Sequence, residues 1–190
     1  VGRYVLLPGD PGRVPLIASY LTDARKIAEN REHQTFTGTL DGVPVSVTST
    51  GIGGPSTAIA VEELAKAGSD TFIRVGTSGI MQDYMSSGDL IVVSAAVRDE
   101  GTALHYMPMA FSAVADLDVV NWLRNSFEVL AGTYHVGISH SKDSLYGEVE
   151  PERMPMANLL KERWQAWVKC GALCSEMEAA ALYVIARTHG

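Results

Sequence analysis

Short apolar runs alternate along this chain with stretches whose apolar positions recur at helical spacing. Tyr4–Leu7 reads as a strand, and residues 13–21 carry the helical period. Residues 37–40 and Val43–Thr48 flank Asp41-Gly42, a dipeptide suited to a two-residue hairpin turn. Pro55 opens a helix over 55–66 that stops at Gly68, with the residues expected at a helix start and stop. Segments 71–75, 90–97 and 135–139 are strand-like. Leu117–Leu130 is amphipathic, with Asp116 or Asp118 placed to begin it, and 156–168 and 176–187 are helical. Strand and helix alternating in this way predict an α/β fold with a largely parallel or mixed sheet.

Composition narrows the function classes. The chain has 190 residues, 46% of them hydrophobic, enough for one domain with a sizeable core. Its 15 basic and 22 acidic residues give a formal charge of −7, which disfavours nucleic acid and anionic membranes as partners. No apolar run approaches the length of a membrane span, and no signal-peptide pattern is read, so a cytoplasmic protein is expected. Val1 is followed almost at once by a strand, and Gly190 follows directly on a helical pattern. The expectation is a single domain over 1–190, cut at both ends. Cys170 and Cys174 match neither a zinc pair nor a redox motif and are expected to be buried thiols. The five histidines form no metal-binding spacing.

The chemistry is concentrated in glycine loops at strand ends. Tyr4–Leu7 runs into Pro8-Gly9-Asp10-Pro11-Gly12-Arg13, and Thr71-Phe72-Ile73 runs into Arg74-Val75-Gly76-Thr77-Ser78-Gly79. A third loop, Thr50-Gly51-Ile52-Gly53-Gly54-Pro55, leads into a helix. In open α/β sheets ligands sit at the carboxyl ends of strands. Glycines let backbone N–H groups turn towards an anion, and arginine adds a forked donor. Two such loops, each with one arginine, suggest a phosphate cradle. The bland alternative is a pair of tight turns with Arg13 and Arg74 as solvated surface charges.

Together these segments resemble the nucleoside phosphorylase-I family and, within it, its uridine phosphorylase branch. The likeness also rests on Asn30-Arg31-Glu32, Ser49–Ser56, Leu104-His105-Tyr106, Ala113-Val114-Ala115-Asp116 and Glu176-Met177-Glu178, and it runs in order along nearly the whole chain. A dinucleotide-binding sheet is disfavoured, because no G-x-G-x-x-G follows a first strand. The resemblance implies a phosphorylase/hydrolase-like α/β domain whose central mixed sheet, flanked by helices, is partly barrel-like. It implies a pentosyltransferase of nucleoside salvage. Phosphate attacks C1′ of uridine, giving ribose 1-phosphate and free base, with inorganic phosphate as co-substrate and no cofactor.

The same resemblance assigns residues. Gly9, Arg13, Arg74 and Thr77 bind phosphate, and Arg31 reaches the phosphate of a neighbouring subunit. Arg74, Thr77 and Glu178 are the catalytic set. Thr77, Met177 and Glu178 bind ribose, where a carboxylate accepts from vicinal hydroxyls and a thioether packs on the sugar face. Without the resemblance, Glu178 reads as an ordinary helix-start acid beside Ser175, and Met177 as core. Tyr146, Glu148 and Arg153 are the base-binding candidates. Glu32 and Ser56 are expected to hold a monovalent cation, and a homo-oligomer, a hexamer built from dimers, is implied.

The base-reading stretch departs from the family pattern. Leu145 stands where an aromatic is usual, and Glu148 or Glu150 stands near an expected Gln. A carboxylate accepts from uracil N3–H but cannot donate to a carbonyl. Base identity is therefore the open point, with a purine nucleoside phosphorylase of the same fold as one alternative. A non-catalytic nucleoside- or phosphate-binding protein is another, and a water-using hydrolase is opposed by the two arginines. The family's final strand and helix, and an upstream His that reaches a neighbour's ribose, have no counterpart among these residues.

Overall fold

The structure is a computed structural model that describes residues 1–130 and 132–190. The chain groups into two compact units, 1–77 with 184–190, and 78–183.

The first unit is built on a five-stranded mixed sheet. Its strands are β1 (Tyr4–Leu7), β2 (Thr22–Asn30), β3 (His33–Leu40), β4 (Val43–Thr48) and β5 (Thr71–Arg74), in the order β2-β3-β4-β1-β5. β1 lies parallel to β4 and β5, with Leu6 opposite Val47 and Leu7 opposite Arg74. Val5 and Leu7 are wholly buried, as a strand covered by neighbours on both sides requires. β3 and β4 form the expected hairpin, and Asp41 and Gly42 take φ of 49° and 81°, the paired left-handed values of its tight turn. Helix α1 (Val14–Ala18) lays Val14 and Ala18 against Val47, with Leu6, Ile17 and Phe36 around them. Val14 and Val47, both fully buried, each contribute about 1.5–3 kcal/mol. Helix α2 (Gly54–Lys66) buries Thr57, Ala58, Val61 and Leu64.

The second unit has its own five-stranded mixed sheet: β6 (Gly79–Ile80), β7 (Leu90–Asp99), β8 (Ala113–Val114), β9 (Tyr134–Lys142) and β10 (Cys174–Glu176), in the order β6-β10-β9-β7-β8. The three middle strands are parallel, with Asp99 opposite Lys142 and Ser175 opposite His140. Four helices belong with it: α3 (Leu117–Leu130), α4 (Leu145–Val149), α5 (Ala157–Lys169) and the start of α6 (Ala179–Thr188). Asp116 caps α3, its carboxylate accepting from the N–H groups of Asp118 and Val119.

The α/β class with mixed sheets flanked by helices is as expected, and the strands fall into two sheets. Neither closes into a barrel among the described residues. Three local expectations are corrected. The helix over 13–21 is shorter, because Asp10 caps a 3-10 turn at Pro11–Arg13 and α1 ends by Ser19, whose hydroxyl bonds the Leu16 carbonyl. The helix over 176–187 starts three residues later, after strand β10. Of the two thiols expected to be buried, Cys170 is exposed. Cys174 is buried, and burial pushes its thiol up to about 11.

Candidate active site

In the first unit the parallel register delivers three loops to one sheet edge. Backbone bonds lace them together: Thr50 N–H to Pro8 C=O at 2.8 Å, Gly51 N–H to Gly9 C=O at 3.0 Å, and Val75 N–H to Leu7 C=O at 3.0 Å. Both candidate arginines converge there. A methyl group added at Gly9 would lie 3.7 Å from an Arg74 guanidinium nitrogen and 3.8 Å from one of Arg13. The absent side chain of Gly9 is thus a space faced by two guanidinium groups. Two guanidinium groups so placed offer an oxyanion charge-assisted donors, and the Gly51 carbonyl also borders the position at 3.2 Å. Arg13 Nη1 also sits 3.5 Å from the Val75 carbonyl. Thr77 lies on the same β5 loop and is exposed.

Arg31 is at the β2–β3 turn, exposed, with φ of 53°. Next to it, Glu32 meets Ser56. The Ser56 hydroxyl is 2.8 Å from a Glu32 carboxylate oxygen and 2.5 Å from the Thr50 carbonyl. The Glu32 backbone N–H and the Ser56 hydroxyl hold the Glu32 carboxyl below the usual carboxylate range. Gly51 makes this cluster possible. Its φ is 71°, and a Cβ there would stand 2.6 Å from both Glu32 Cγ and Ser56 Oγ. One carboxylate and two neutral oxygens suit a monovalent cation better than a divalent one.

In the second unit the Glu176-Met177-Glu178 stretch divides its labour. Glu176 is buried, and one of its oxygens accepts the N–H groups of Glu178 and Ala179, both at 2.7 Å. Its other oxygen accepts the hydroxyls of Ser139 and Ser141. The capping role that a sequence reader gives to Glu178 therefore belongs to Glu176. Glu178 is buried and directly precedes α6, its carbonyl accepting the Leu182 N–H at 2.9 Å. Met177, between them, is half-buried.

The base-loop candidates separate. Tyr146 and Arg153 are exposed and lie together, the guanidinium 5.7 Å from the ring centroid, and Arg153 also pairs with Glu150 at 2.6 Å. Leu145 is exposed as well. Glu148 turns inward instead. Its carboxylate accepts from Ser175 Oγ at 2.5 Å and pairs with the buried Lys142 at 3.1 Å, and Lys142 donates to Ser175 Oγ at 2.6 Å. His140 stands beside this triangle, its Nε2 3.0 Å from Asp99 and its Nδ1 3.6 Å from Glu148. Arg163 closes the chain on the other Asp99 oxygen. A cavity of about 350 Å³ opens onto Asp99, His140, Lys142, Glu148 and Trp164.

Of this cluster, the sequence alone points to Glu148 as a base-site candidate. A usable signal for the others was present: His140-Ser141-Lys142 continues the β9 apolar run to its carboxyl end, where α/β sheets place ligands.

The first unit brings two arginines together at its parallel strand ends, and the second carries buried carboxylates at its own. Residues 3–190 match the Phosphorylase superfamily, and the chain belongs to that family. A uridine phosphorylase of Thermococcus kodakarensis is 52% identical over 196 residues, spanning 100% of this chain and 69% of the relative. A uridine phosphorylase of Treponema pallidum is 48% identical over 185 residues, spanning 97% of this chain and 72% of its own. A third, from Escherichia coli, is 41% identical over 191 residues, spanning 97% and 74%.

Proposed function

We propose that this chain catalyses the reversible phosphorolysis of uridine, taking inorganic phosphate as co-substrate. The observation that carries the reading is the convergence of Arg13 and Arg74 on the bare backbone of Gly9. A water-activating hydrolase has no use for two cations brought together at one strand end. Support from the family comes from the uridine phosphorylases already described, similar along nearly the whole chain.

The steps follow from the charges. Phosphate is held by Arg13, Arg74, Thr77 and the Gly9 backbone, with Arg31 supplied by a neighbouring subunit. Glu178 accepts hydrogen bonds from the ribose hydroxyls, and Met177 packs on the sugar. As the C1′–N1 bond breaks, its electron pair stays with the base. A phosphate oxygen forms the new bond to C1′, and the proton released by hydrogen phosphate ends on the base. The phosphate dianion stabilises the cation-like sugar between these events. Tyr146 and Arg153 lie on the base-binding loop. Leu145 stands in place of an aromatic of the family pattern, and Glu148 or Glu150 near its glutamine, so a looser grip on uracil or a broader choice of bases is expected. A monovalent cation at Glu32 and Ser56, a cytoplasmic location and a hexamer of dimers complete the reading.

The test is a panel of uridine, thymidine and inosine, each with and without phosphate. Phosphate-dependent release of uracil supports the reading. Equal release without phosphate would replace it with hydrolysis, and no release would leave a binding protein.

A further inference from the structure

We infer that the cavity of the second unit receives the departing base, and that His140, gripped as an imidazolium between Asp99 and Glu148, supplies the positive charge that steadies it. This inference rests on the phosphorolytic reading and adds to it a residue that sets charge at the base end.

The geometry favours the doubly protonated ring. Nε2 faces an Asp99 oxygen at 3.0 Å and Nδ1 faces a Glu148 oxygen at 3.6 Å. Nδ1 also meets Ser175 Oγ at 3.4 Å. That hydroxyl gives its one proton to Glu148 at 2.5 Å, so towards Nδ1 it can only accept. A neutral imidazole would point a lone pair at a carboxylate from one side. The imidazolium donates Nε2–H to Asp99 and Nδ1–H to Ser175 Oγ, with Glu148 as its ion-pair partner. Burial opposes the charge, and the hydrogen bonds and fields of Asp99 and Glu148 outweigh it, so the ring titrates above its ordinary value.

The remaining charges of the pocket cancel. Three carboxylates line it, Asp99, Asp143 and Glu148, against three cations, Lys142, Lys161 and Arg163. The balance therefore falls to His140, and with its proton the pocket carries one surplus positive charge. A neutral base has no need of that surplus, whereas a base leaving with the glycosidic electron pair does. His140 keeps its proton throughout and acts by field and by bracing Glu148 beside Lys142. It is a positioning residue. Trp164 and Trp167 flank its ring with centroids 6.3 and 6.0 Å away, and the buried Trp167 indole N–H has no partner among the described residues. Their fluorescence gives a direct reading of a base entering.

The experiment measures kcat for uridine phosphorolysis from pH 6 to 9 in the unaltered protein, in His140→Gln and in Asp99→Asn, with uracil titrations followed by tryptophan fluorescence. Phosphate ionises identically in all three, so differences between the profiles belong to the protein. Uracil should quench the fluorescence. The unaltered protein should lose activity on an alkaline limb above 6.5, the ordinary histidine value. H140Q should lack that limb and turn over roughly ten- to a hundredfold more slowly. D99N, which removes one carboxylate and keeps the ring, should move the limb down by about one pH unit. If H140Q does not fold, the D99N shift decides alone. An unmoved limb in D99N, a wild-type profile in H140Q, or no quenching by uracil overturns the inference while phosphate-dependent cleavage still stands. Failure of the unaltered protein to cleave uridine with phosphate overturns the reading beneath it and this inference with it.

Discussion

Gly9 and Gly51 show how residues without side chains define chemistry through the space they leave. At Gly9 that space is faced by Arg13 and Arg74, and at Gly51 it is filled by Glu32 and Ser56. Gly51→Ala should destabilise the protein by about 1–3 kcal/mol, because it adds a Cβ in left-handed backbone against two close atoms. A denaturant midpoint within error of the parent would contradict that. Arg74→Ala should cost roughly 2–4 kcal/mol of transition-state stabilisation, seen as a lower kcat and a higher KM for phosphate. An unchanged kcat/KM for phosphate removes Arg74 from the site. Glu178→Ala should harm turnover of uridine more than that of 2′-deoxyuridine, and equal losses would mean the carboxylate does not read the 2′-hydroxyl.

At the scale of elements, Glu176 joins β10 to α6 and to the serines of β9. Glu176→Ala strips an acceptor from two helix N–H groups and two hydroxyls, and should lower stability by about 1–3 kcal/mol in thermal unfolding. The β7–β9 ends also carry a pH signature. Asp99 and Glu148 are opposed by burial, but bonds from His140, with Arg163 on one and Ser175 and Lys142 on the other, hold both below their ordinary values of 3.8 and 4.5. A lowered carboxyl stabilises the fold above its unfolded pKa and loses that stability as pH falls through the folded one. The melting temperature should therefore drop below about pH 4, and less steeply in Glu148→Gln. Elements with strong patterns were legible in the chain: β1, β4 and α3 fall at their expected bounds. Strand β2, Thr-Asp-Ala-Arg-Lys-Ile-Ala-Glu-Asn, was not, since an edge strand with mostly exposed side chains pairs through its backbone and leaves no alternation to read. The meeting of Arg13 and Arg74 at Gly9 was legible because glycine and arginine at strand ends carry their own signal. The His140 network was not, because strand register alone brings Asp99, His140, Lys142 and Ser175 together.

At the scale of the whole molecule, we propose a phosphate-using enzyme whose sites are shared between copies. Arg31 sits on an exposed turn of its own, whereas Arg13 and Arg74 meet over Gly9. If Arg31 serves a neighbour across a two-fold interface, Arg13→Ala and Arg31→Ala are each nearly inactive, yet a hybrid dimer has one site with both defects and one with neither. Co-refolding the two should restore part of the activity, and an inactive mixture in which hybrids have formed contradicts sharing. Phosphorolysis itself is tested most directly by the product of uridine cleavage at saturating phosphate. The account predicts uracil and ribose 1-phosphate in equal amounts, with no cleavage when phosphate is omitted. Free ribose, formed at the same rate in phosphate-free buffer, would contradict it.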